Sequence, residues 1–433
     1  MSKKINVVTL GCSKNLVDSE LFLSQMHANG YVVTHDSADS DARIVAINTC
    51  GFILDAKEES VNTILEYVDA KKNGLIDKIF VFGCLTERYK DDLLKEIPEV
   101  DGFYGKFQVR KMVEDLKADY KLSLSHQRYI TTPSHYAYLK ISEGCNRTCS
   151  YCAIPKMTGD HVSVPIESLV EEARSLAKEG VKELLIIAQD LSYYGIDLYK
   201  ESKLAELVSK LSEIEGIEWI KLHYAYPANF PFDLLPVIKN KLNVARYLDV
   251  ALQHCSDKVL KLMKRHISKA ETVALIKRIR EEVPGIHLRT TMLVGHPGET
   301  EEDFEELKAF VREMRFERLG VFPYSNEQDT YAGENYEDLI PQEVKESRAN
   351  ELMEIQKEIA AEIDAEKIGQ TLRVVIDRKE GEYFVGRTEF DSPEVDGEVL
   401  ISSKGLKIGE FYDVKIIGAE DFDLFGEVTK YSN

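Results

Sequence analysis

Strand-like and helical segments alternate along most of this 433-residue chain, and that alternation restricts the possible folds more than any other feature. In the first part of the chain, each of three β-rich runs is followed by a helical stretch. The runs are INVVTL (5–10), RIVAIN (43–48) and KIFVFG (78–83). Alternating strands and helices are typical of a parallel sheet covered by helices on both faces. We therefore expect an open parallel α/β domain over residues 1–125.

A second series of strands follows a polar segment with a proline, residues 126–134, which we interpret as a linker. Six strand candidates recur there with helices between them: YAYLKIS (136–142), ELLIIA (183–188), WIKLHY (219–224), YLDVAL (247–252), HLRTTMLV (287–294) and RLGVFPY (318–324). Six units are too few for the usual eight-stranded barrel. We therefore predict a partial (β/α)6 barrel over residues 135–368, which include a connecting helix at 341–368.

The sequence pattern changes from helical spacing to short β runs near residue 369. Before this point, the connecting helix places Leu352, Ile355, Ile359 and Ile363 on one face at helical spacing. After it, short β runs are separated by KEGE, DSPEVDG and SSKGLKIG. Such a tail predicts a small antiparallel β-barrel of the oligonucleotide/oligosaccharide-binding (OB) kind over residues 369–433.

Composition excludes several classes of protein. Apolar residues make up 44% of the chain and charged residues 30%, as in soluble globular proteins. No apolar run is long enough to span a bilayer, and the start of the sequence lacks a secretory signal pattern, so we expect a cytoplasmic protein. A net charge of −20 disfavours a general nucleic-acid binder, because contacts with phosphates need Lys and Arg.

The densest group of cysteines follows the first strand of the second series. EGCNRTCSYCAIP contains Cys145, Cys149 and Cys152 in a CxxxCxxC pattern. A structural zinc ion would need a fourth ligand, for which His135 and His161 are candidates. A non-catalytic zinc-binding module is therefore the alternative from another class. An iron–sulfur cube can instead use three thiolates and leave one iron open to a ligand, and we favour this interpretation.

Three further cysteines occupy equivalent places in the first domain. Cys12, Cys50 and Cys84 each follow one of its three predicted strands. In an open parallel sheet, ligands bind beyond the carboxyl ends of the strands, so these thiols can meet there. The alternative is three buried cysteines that act as small apolar residues. The last cysteine, Cys255, has no partner set, and we interpret it as a free thiol.

The CxxxCxxC pattern with an aromatic residue before its last cysteine resembles the hallmark of the radical S-adenosylmethionine (SAM) enzymes. The resemblance implies that the open iron of a [4Fe–4S] cluster chelates the amino and carboxylate groups of SAM. An electron from an external donor then cleaves SAM to a 5′-deoxyadenosyl radical. TTMLVGHPGET (290–300) is similar to the family's glycine-rich strand beside the SAM adenine. Candidate SAM contacts, for which surface or packing roles are the alternative, are Tyr151, Gln189, Gln253, Arg265 and Gly295.

Two sets of three cysteines followed by a small β-barrel resemble the radical SAM methylthiotransferases over essentially the whole chain. The resemblance implies a second, auxiliary [4Fe–4S] cluster on Cys12, Cys50 and Cys84 that takes part in sulfur insertion, and an external sulfur source. One SAM supplies a methyl group and another the radical. The product carries a methylthio group in place of a hydrogen on an unactivated carbon. The tail would then be a TRAM domain.

The family contains tRNA-modifying members and a protein-modifying branch, which methylthiolates the β-carbon of an aspartate in small-subunit ribosomal protein number twelve. LGCSKNLVDSE (10–20), YLKISEGCNRTCSYCAIP (138–155) and LGVFPYS (319–325) are similar to the protein-modifying branch. Residues 370–433 contain eight Lys or Arg and fourteen Asp or Glu, a charge of about −6. An acidic barrel suits a basic protein substrate, whereas tRNA would favour a basic one. A tRNA adenosine is the nearest alternative substrate.

Three further positions bear on the chemistry. Thr158 and Val164 stand where members of the family usually carry arginines in an RGxxxSR-like stretch, so the role of those arginines does not transfer to this chain. Arg289 lies in the fifth predicted strand of the partial barrel. If its side chain points inward, its guanidinium could bind a carboxylate of the substrate or of SAM.

Overall fold

The computed structural model describes residues 3–38, 40–124 and 127–430, and contains three main β-structures in chain order. The first residue of the predicted linker, residue 126, lies outside the described residues. None of the described helices is long and apolar enough to cross a membrane.

The first β-structure is an open five-stranded sheet in which every neighbouring pair is parallel, in the order β2-β1-β3-β4-β5. Its strands are β1 (Lys4–Thr9), β2 (Val32–His35), β3 (Ile44–Thr49), β4 (Lys78–Gly83) and β5 (Gly102–Gly105). Its helices are α1 (Ser13–Ala28), α2 (Leu54–Lys72), α3 (Cys84–Glu96) and α4 (Val109–Asp115), with a 3-10 turn at Leu122–Leu124. The three predicted strands are present, and β2 and β5 are additional.

Both faces of this sheet are buried, which explains its near-continuous apolar strands. Along β4, Phe80 and Phe82 pack into one core cluster, whereas Ile79 and Val81 pack into another. The alternation places helices over both faces, as the sequence pattern predicts.

The second β-structure is a six-stranded parallel sheet in the order β13-β12-β11-β10-β9-β6. Its strands are β6 (Tyr136–Lys140), β9 (Glu183–Ile187), β10 (Trp219–Ala225), β11 (Val244–Val250), β12 (His287–Val294) and β13 (Arg318–Pro323). The antiparallel pair β7 (Ser142–Glu143) and β8 (Val162–Ser163) stands apart from it. Each of the six predicted runs forms a strand, so the expected fold class is confirmed.

Helices separate these strands and bury the largest core cluster against the sheet. They are α5 (Ile154–Thr158), α6 (Ile166–Lys178), α7 (Ile196–Tyr199), α8 (Leu204–Leu211), α9 (Leu234–Asn240), α10 (Asp257–Leu262), α11 (Lys269–Glu282), α12 (Glu301–Met314) and α13 (Tyr331–Asn335), with a 3-10 turn at Leu191–Tyr193. The connecting helix, α14 (Gln342–Ala365), buries Leu352, Ile355 and Ile359 against this core and packs on the edge strand β13.

The third β-structure is a small closed barrel in the order β14-β15-β16-β18-β17. Its strands are β14 (Thr371–Glu380), β15 (Tyr383–Thr388), β16 (Val399–Ile401), β17 (Phe411–Glu420) and β18 (Asp423–Lys430). Four of its five pairings are antiparallel, as expected, and the pair β16–β18 is parallel. Closure leaves the barrel with no free sheet edge.

A buried ion network fixes this barrel to the central sheet. The carboxylate of Glu183 on β9 accepts hydrogen bonds from Arg387 of the barrel at 2.8 and 3.1 Å, and lies 2.8 Å from Lys221 Nζ. All three side chains are at most 2% exposed. Burial alone would raise the pKa of Glu183, but Arg387 and Lys221 lower it to about 2. The carboxylate is therefore charged, and it compensates two buried cations.

We predict that Glu183→Gln lowers the free energy of unfolding by about 3–5 kcal/mol, because the buried Lys221 then loses its carboxylate partner and Arg387 keeps only Asp377. The matched control is Glu218→Gln, which removes an exposed ion pair between the central part and Arg373 of the barrel. Exposed pairs contribute about 0–1 kcal/mol. Urea unfolding of both variants tests this. Equal losses in the two variants would contradict the assigned role of the buried network.

Candidate active site between the two cysteine sets

A single cavity of about 340 Å³ is lined by six of the seven cysteines. The three cysteines that follow strands of the first sheet and the three of the CxxxCxxC loop line this same cavity. Cys255 does not line this cavity and is fully buried in the core of the central sheet. The two sets that the sequence places far apart thus meet in one site.

The N-terminal set reaches the cavity from neighbouring parallel strands. Cys12 follows β1 and caps α1, Cys50 follows β3, and Cys84 begins α3 directly after β4. Because β1, β3 and β4 are adjacent in the sheet, their carboxyl ends deliver all three thiols to one edge. The Asn15 amide oxygen lies 3.6 Å from Cys84 Sγ within this group.

A glycine makes the turn into Cys84 possible. Gly83 has a φ of +106°, which residues with a side chain rarely adopt. A Cβ there would lie 2.4 Å from Asn48 Oδ1 and 2.7 Å from the Thr49 carbonyl oxygen. The position of this thiol therefore depends on the absence of a side chain just before it.

The second set lies on the loop between β7 and α5, at the carboxyl end of the central sheet. Two hydrogen-bond donors already approach its sulfur atoms: the Arg147 amide lies 3.4 Å from Cys145 Sγ, and Arg265 Nη1 lies 3.5 Å from Cys149 Sγ. Donors in such positions stabilise negative charge on sulfur. The loop is thus arranged for thiolates.

Burial disfavours the ionised, thiolate form of the free cysteines. It raises the pKa of Cys84 to about 12 and that of Cys145 to about 11, and it also raises the pKa of Cys50 and Cys152. Metal ligands must be deprotonated, so binding a metal centre here would release protons. A cationic centre would supply the charge that these buried thiolates need.

The geometry does not support the zinc alternative. In residues 3–38, 40–124 and 127–430, no three His, Cys, Asp or Glu side chains form a group that could hold one metal ion. His135 lies 2.7 Å from Asp377 of the barrel, and His161 lies 3.1 Å from Ser163 Oγ. Neither histidine lines the cavity. A cluster of several irons spans more space than one zinc ion and can use three thiolates, so it fits this donor set better.

A buried guanidinium in the cavity lacks a carboxylate partner. Arg265 is 6% exposed and donates to the Ala251 carbonyl, but it forms no ion pair with a carboxylate among the described residues. Its Nε is buried without a hydrogen-bond partner. An uncompensated buried charge is costly, which points to an anionic group in the cavity. Thiolates of a cluster or the carboxylate of a ligand would supply that charge.

Two lysines and two carboxylates form an ion network beside the cavity. Lys106 lies 3.1 Å from Asp18 and 3.4 Å from Glu143, and Lys140 also pairs with both carboxylates. Burial would raise the pKa of Glu143, but Lys140 and Lys106 lower it to about 2. Gln189 donates to the same carboxylate. The network therefore holds Gln189 and Glu143 in place. Glu143 lies two residues before Cys145, the first cysteine of the CxxxCxxC pattern.

Four of the predicted contact residues line the cavity and two do not. Tyr151, Gln189, Gln253 and Arg265 are in its wall. Gly295 and Arg289 lie outside the lining.

Gly295 and Arg289 have partners within the protein. The Gly295 amide donates to Glu299 at 2.7 Å, and α14 packs closely on Gly295 through Lys345. The Arg289 guanidinium lies 3.2 Å from Asp396 of the barrel and 3.7 Å from Asp249. In the structure, the side chain of Arg289 lies against these two carboxylates. Contacts of Gly295 with SAM, and of Arg289 with SAM or substrate, stay predictions.

The wall also contains residues that the sequence did not single out. Lys106 follows the unpredicted strand β5, Asp190 pairs with Arg147 at 2.7 Å, and Tyr226 follows β10. Asp190 and Tyr226 lie just beyond the carboxyl ends of strands, where ligand contacts are expected. Their positions after predicted strands could therefore have identified them as candidate site residues. Thr158, one of the two departures from the family pattern, also lines the cavity, whereas Val164 packs against the core.

Comparison with known proteins identifies relatives of the whole chain and of its three parts. An uncharacterized protein family, UPF0004, matches residues 4–105, the radical SAM superfamily matches residues 139–311, and the TRAM domain matches residues 368–429. A ribosomal protein uS12 methylthiotransferase RimO from Bacteroides thetaiotaomicron is 58% identical over 432 residues, 99% of both chains. Another from Porphyromonas gingivalis is 59% identical over 429 residues, 98% of this chain and 99% of the relative.

The chain belongs to the RimO family of radical SAM methylthiotransferases. The family resemblance seen in the sequence is thereby confirmed. As a member of the RimO family, the chain is an enzyme that uses iron–sulfur chemistry and SAM.

Solved structures show the same fold at low sequence identity. The radical SAM methyltransferase TsrM from Kitasatospora setae has a TM-score of 0.57 at 13% identity, over 88% of this chain and 79% of TsrM. The radical SAM enzyme OxsB has a TM-score of 0.51 at 14% identity, over 82% of this chain and 56% of OxsB. These likenesses support the architecture of the RimO-family chain alone.

We predict that Gly83→Ala destabilises the protein by about 3 kcal/mol, because it combines an unfavourable φ with a clash against backbone and Asn48. Gly74→Ala is the matched control: Gly74 has a φ of +72°, but a Cβ there meets nothing within 4 Å. The control should lose only about 1 kcal/mol. Thermal unfolding measures both changes, and a Gly83→Ala variant as stable as the control would argue against a tightly fixed Cys84.

Proposed function

We propose that this enzyme replaces a β-carbon hydrogen of an aspartate in ribosomal protein uS12 with a methylthio group. The observation that carries the proposal is the single cavity into which both three-cysteine sets project. The names of the relatives, which match the chain from end to end, support uS12 as the substrate. Two metal centres within one cavity suit a reaction that must generate a radical and deliver sulfur at the same carbon.

We assign one [4Fe–4S] cluster to each cysteine set. Cys145, Cys149 and Cys152 would hold the cluster that binds SAM, and Cys12, Cys50 and Cys84 would hold the auxiliary cluster. When bound, the clusters and SAM supply the electron transfer, the radical and the sulfur chemistry. The protein's part is to hold three thiolates of each set, exclude water from the cavity, and leave room between the sets for the substrate.

Tyr151, Gln189, Gln253 and Arg265 are the proposed SAM contacts. All four line the cavity beside the CxxxCxxC loop or at the ends of strands. Arg265 is the strongest of them, because its buried guanidinium points toward Cys149 and Tyr151 at 3.5 Å and has no carboxylate partner in the described chain. An anionic cluster or ligand would compensate this charge.

The charge of the barrel gives weaker support for a protein substrate than the sequence suggested. Asp391 and Asp396 pair with Arg318 and Arg289 of the central sheet, so part of the acidity serves to attach the barrel. Other acidic residues remain exposed on its surface, among them Glu382, Asp413 and Glu427. These favour a basic ribosomal protein over tRNA. The relatives likewise disfavour the tRNA alternative.

The proposed reaction requires partners beyond the substrate. An external electron donor must reduce the SAM-binding cluster, and an external source must replace the sulfur that each product removes. We propose that the enzyme works in the cytoplasm, where the ribosomal protein is available.

We predict that replacing each cysteine set by alanine separates two activities. The Cys145, Cys149 and Cys152 triple variant should lose SAM cleavage altogether. The Cys12, Cys50 and Cys84 triple variant should keep SAM cleavage but lose methylthiolation. Each variant should retain about half of the roughly eight irons expected for two cubes, which an iron assay measures independently of activity. Methylthiolation that persists in the second variant would refute the assignment, and Cys255→Ala serves as the neutral control.

The proposed substrate is tested by mass spectrometry on cells that lack the protein. Ribosomal proteins and tRNA nucleosides from the deletion strain are compared with those from its parent. We expect uS12 to lose one methylthio mass while every tRNA nucleoside is unchanged, and the wild-type gene to restore the modification. Loss of a methylthio group from a tRNA adenosine instead would overturn the choice of substrate but keep the two-cluster chemistry.

A further inference from the structure

One cation in the wall of the cavity has no role in the proposal above. Lys14 is the second residue of α1, two positions after Cys12, and it lines the cavity. Its side chain is partly exposed, and its ammonium group forms no ion pair with a carboxylate among the described residues. An accessible ammonium group that the protein does not neutralise is available to an anionic ligand.

The other cations of the cavity wall already have partners or an assigned place. Lys106 and Arg147 are both paired with carboxylates. Arg265 lies 3.5 Å from Cys149 Sγ, on the side of the cavity that we assign to the SAM-binding cluster. Within the described part of the chain, Lys14 is therefore the cation of the wall that is left for a further anion.

Lys14 reaches from the first part of the chain to the central sheet. Its Nζ lies 3.5 Å from the centre of the Tyr224 ring, and Tyr224 belongs to β10 and also lines the cavity. The hydrogen bonds to cysteine sulfur found in the described residues do not involve this ammonium group. The charge is thus held where the two parts of the chain meet, and not against a thiol of the cysteine set beside it.

The backbone of Tyr224 has an unfavourable conformation. Its φ is +70°, a left-handed value that residues other than glycine rarely adopt. Such conformations cluster at sites that bind ligands or carry out chemistry. The Tyr224 ring attracts the Lys14 ammonium group by a cation–π interaction, which positions the charge without neutralising it.

We propose that the Lys14 ammonium group binds the γ-carboxylate of the substrate aspartate and selects aspartate over asparagine. This inference rests on the proposed function, in which the reacting β-carbon is bonded directly to that carboxylate carbon. A contact that fixes the carboxylate therefore also positions the carbon that reacts. The side-chain amide of asparagine carries no charge to pair with the ammonium group, so it is bound less tightly.

The test compares two synthetic uS12 peptides, one with the aspartate that is modified and one with asparagine in its place. Binding is measured by fluorescence anisotropy on the iron-loaded enzyme with SAM and no reductant, so that no turnover occurs. The wild type should bind the aspartyl peptide more tightly. Lys14→Met should weaken binding of the aspartyl peptide about tenfold, as expected for a lost hydrogen bond between charged groups, and leave binding of the asparaginyl peptide unchanged.

The matched control is Lys78→Met. Lys78 also belongs to the first part of the chain, is partly exposed, has no ion pair among the described residues, and lies 5.9 Å from the centre of the Phe80 ring. It begins β4, at the opposite end of that strand from Cys84, and it does not line the cavity. This variant should keep the wild-type preference for aspartate.

Three results would refute the role of Lys14. The first is a Lys14→Met variant that keeps the wild-type preference for the aspartyl peptide. The second is a loss of about half of the iron in this variant, because the ammonium group would then serve the auxiliary cluster. The third is weaker binding of SAM with an unchanged preference, because the ammonium group would then serve SAM.

The outcomes for Lys14 and for the proposed function are distinct. If the wild type modifies uS12 but Lys14→Met keeps the preference for aspartate, only the role of Lys14 fails. If the wild type neither binds nor modifies the aspartyl peptide, the choice of substrate fails, and the role of Lys14 fails with it.

Discussion

The site depends on the buried ion network that joins the first sheet to the central one. Asp18 on α1 and Glu143 before the CxxxCxxC loop share two lysines, Lys106 from the first part and Lys140 from the central part. Glu327 adds a second link, because it pairs with Lys57 and Arg88. These contacts bring the carboxyl ends of two parallel sheets together. Each sheet delivers three thiols to its carboxyl edge, and the networks make the two edges one site.

The same arrangement explains why the cavity is rich in uncompensated polar groups. Buried thiols with raised pKa, and an arginine with no carboxylate partner among the described residues, would both be unfavourable in an ordinary core. Here they lie in one cavity. Native proteins accept such costs mainly at functional sites, where the missing partners are supplied by ligands. Iron–sulfur clusters and SAM would together satisfy these groups.

Most of the fold could be predicted from local sequence patterns. The remaining features depend on pairing between distant parts of the chain. The nine predicted strands are runs of apolar residues bounded by turn signals, which a parallel sheet buried on both faces requires. β2 and β5 have only four residues each, and the two glycines of β5 weaken its strand signal. Missing β5 also hid Lys106. The CxxxCxxC set could be found from its spacing, and the N-terminal set because equivalent positions in βα units meet at one edge of the sheet.

Partners from distant parts of the chain could not be read from the sequence. The strand that carries Arg289 could be predicted, but Asp396, which Arg289 contacts, comes from the barrel more than one hundred residues later. The acidic residues of the barrel likewise looked like a surface property until their arginine partners were visible. Tyr226 has no motif of its own, and only the structure shows that it lines the cavity.

The most direct test of the account is electron paramagnetic resonance of the fully reduced, iron-loaded enzyme. Two clusters that share one cavity must interact magnetically when both are reduced. The wild-type spectrum should therefore differ from the sum of the spectra of the two triple-cysteine variants, each of which keeps one cluster. A wild-type spectrum that equals this sum would show two isolated clusters, or one cluster alone, and would contradict a single two-cluster active site.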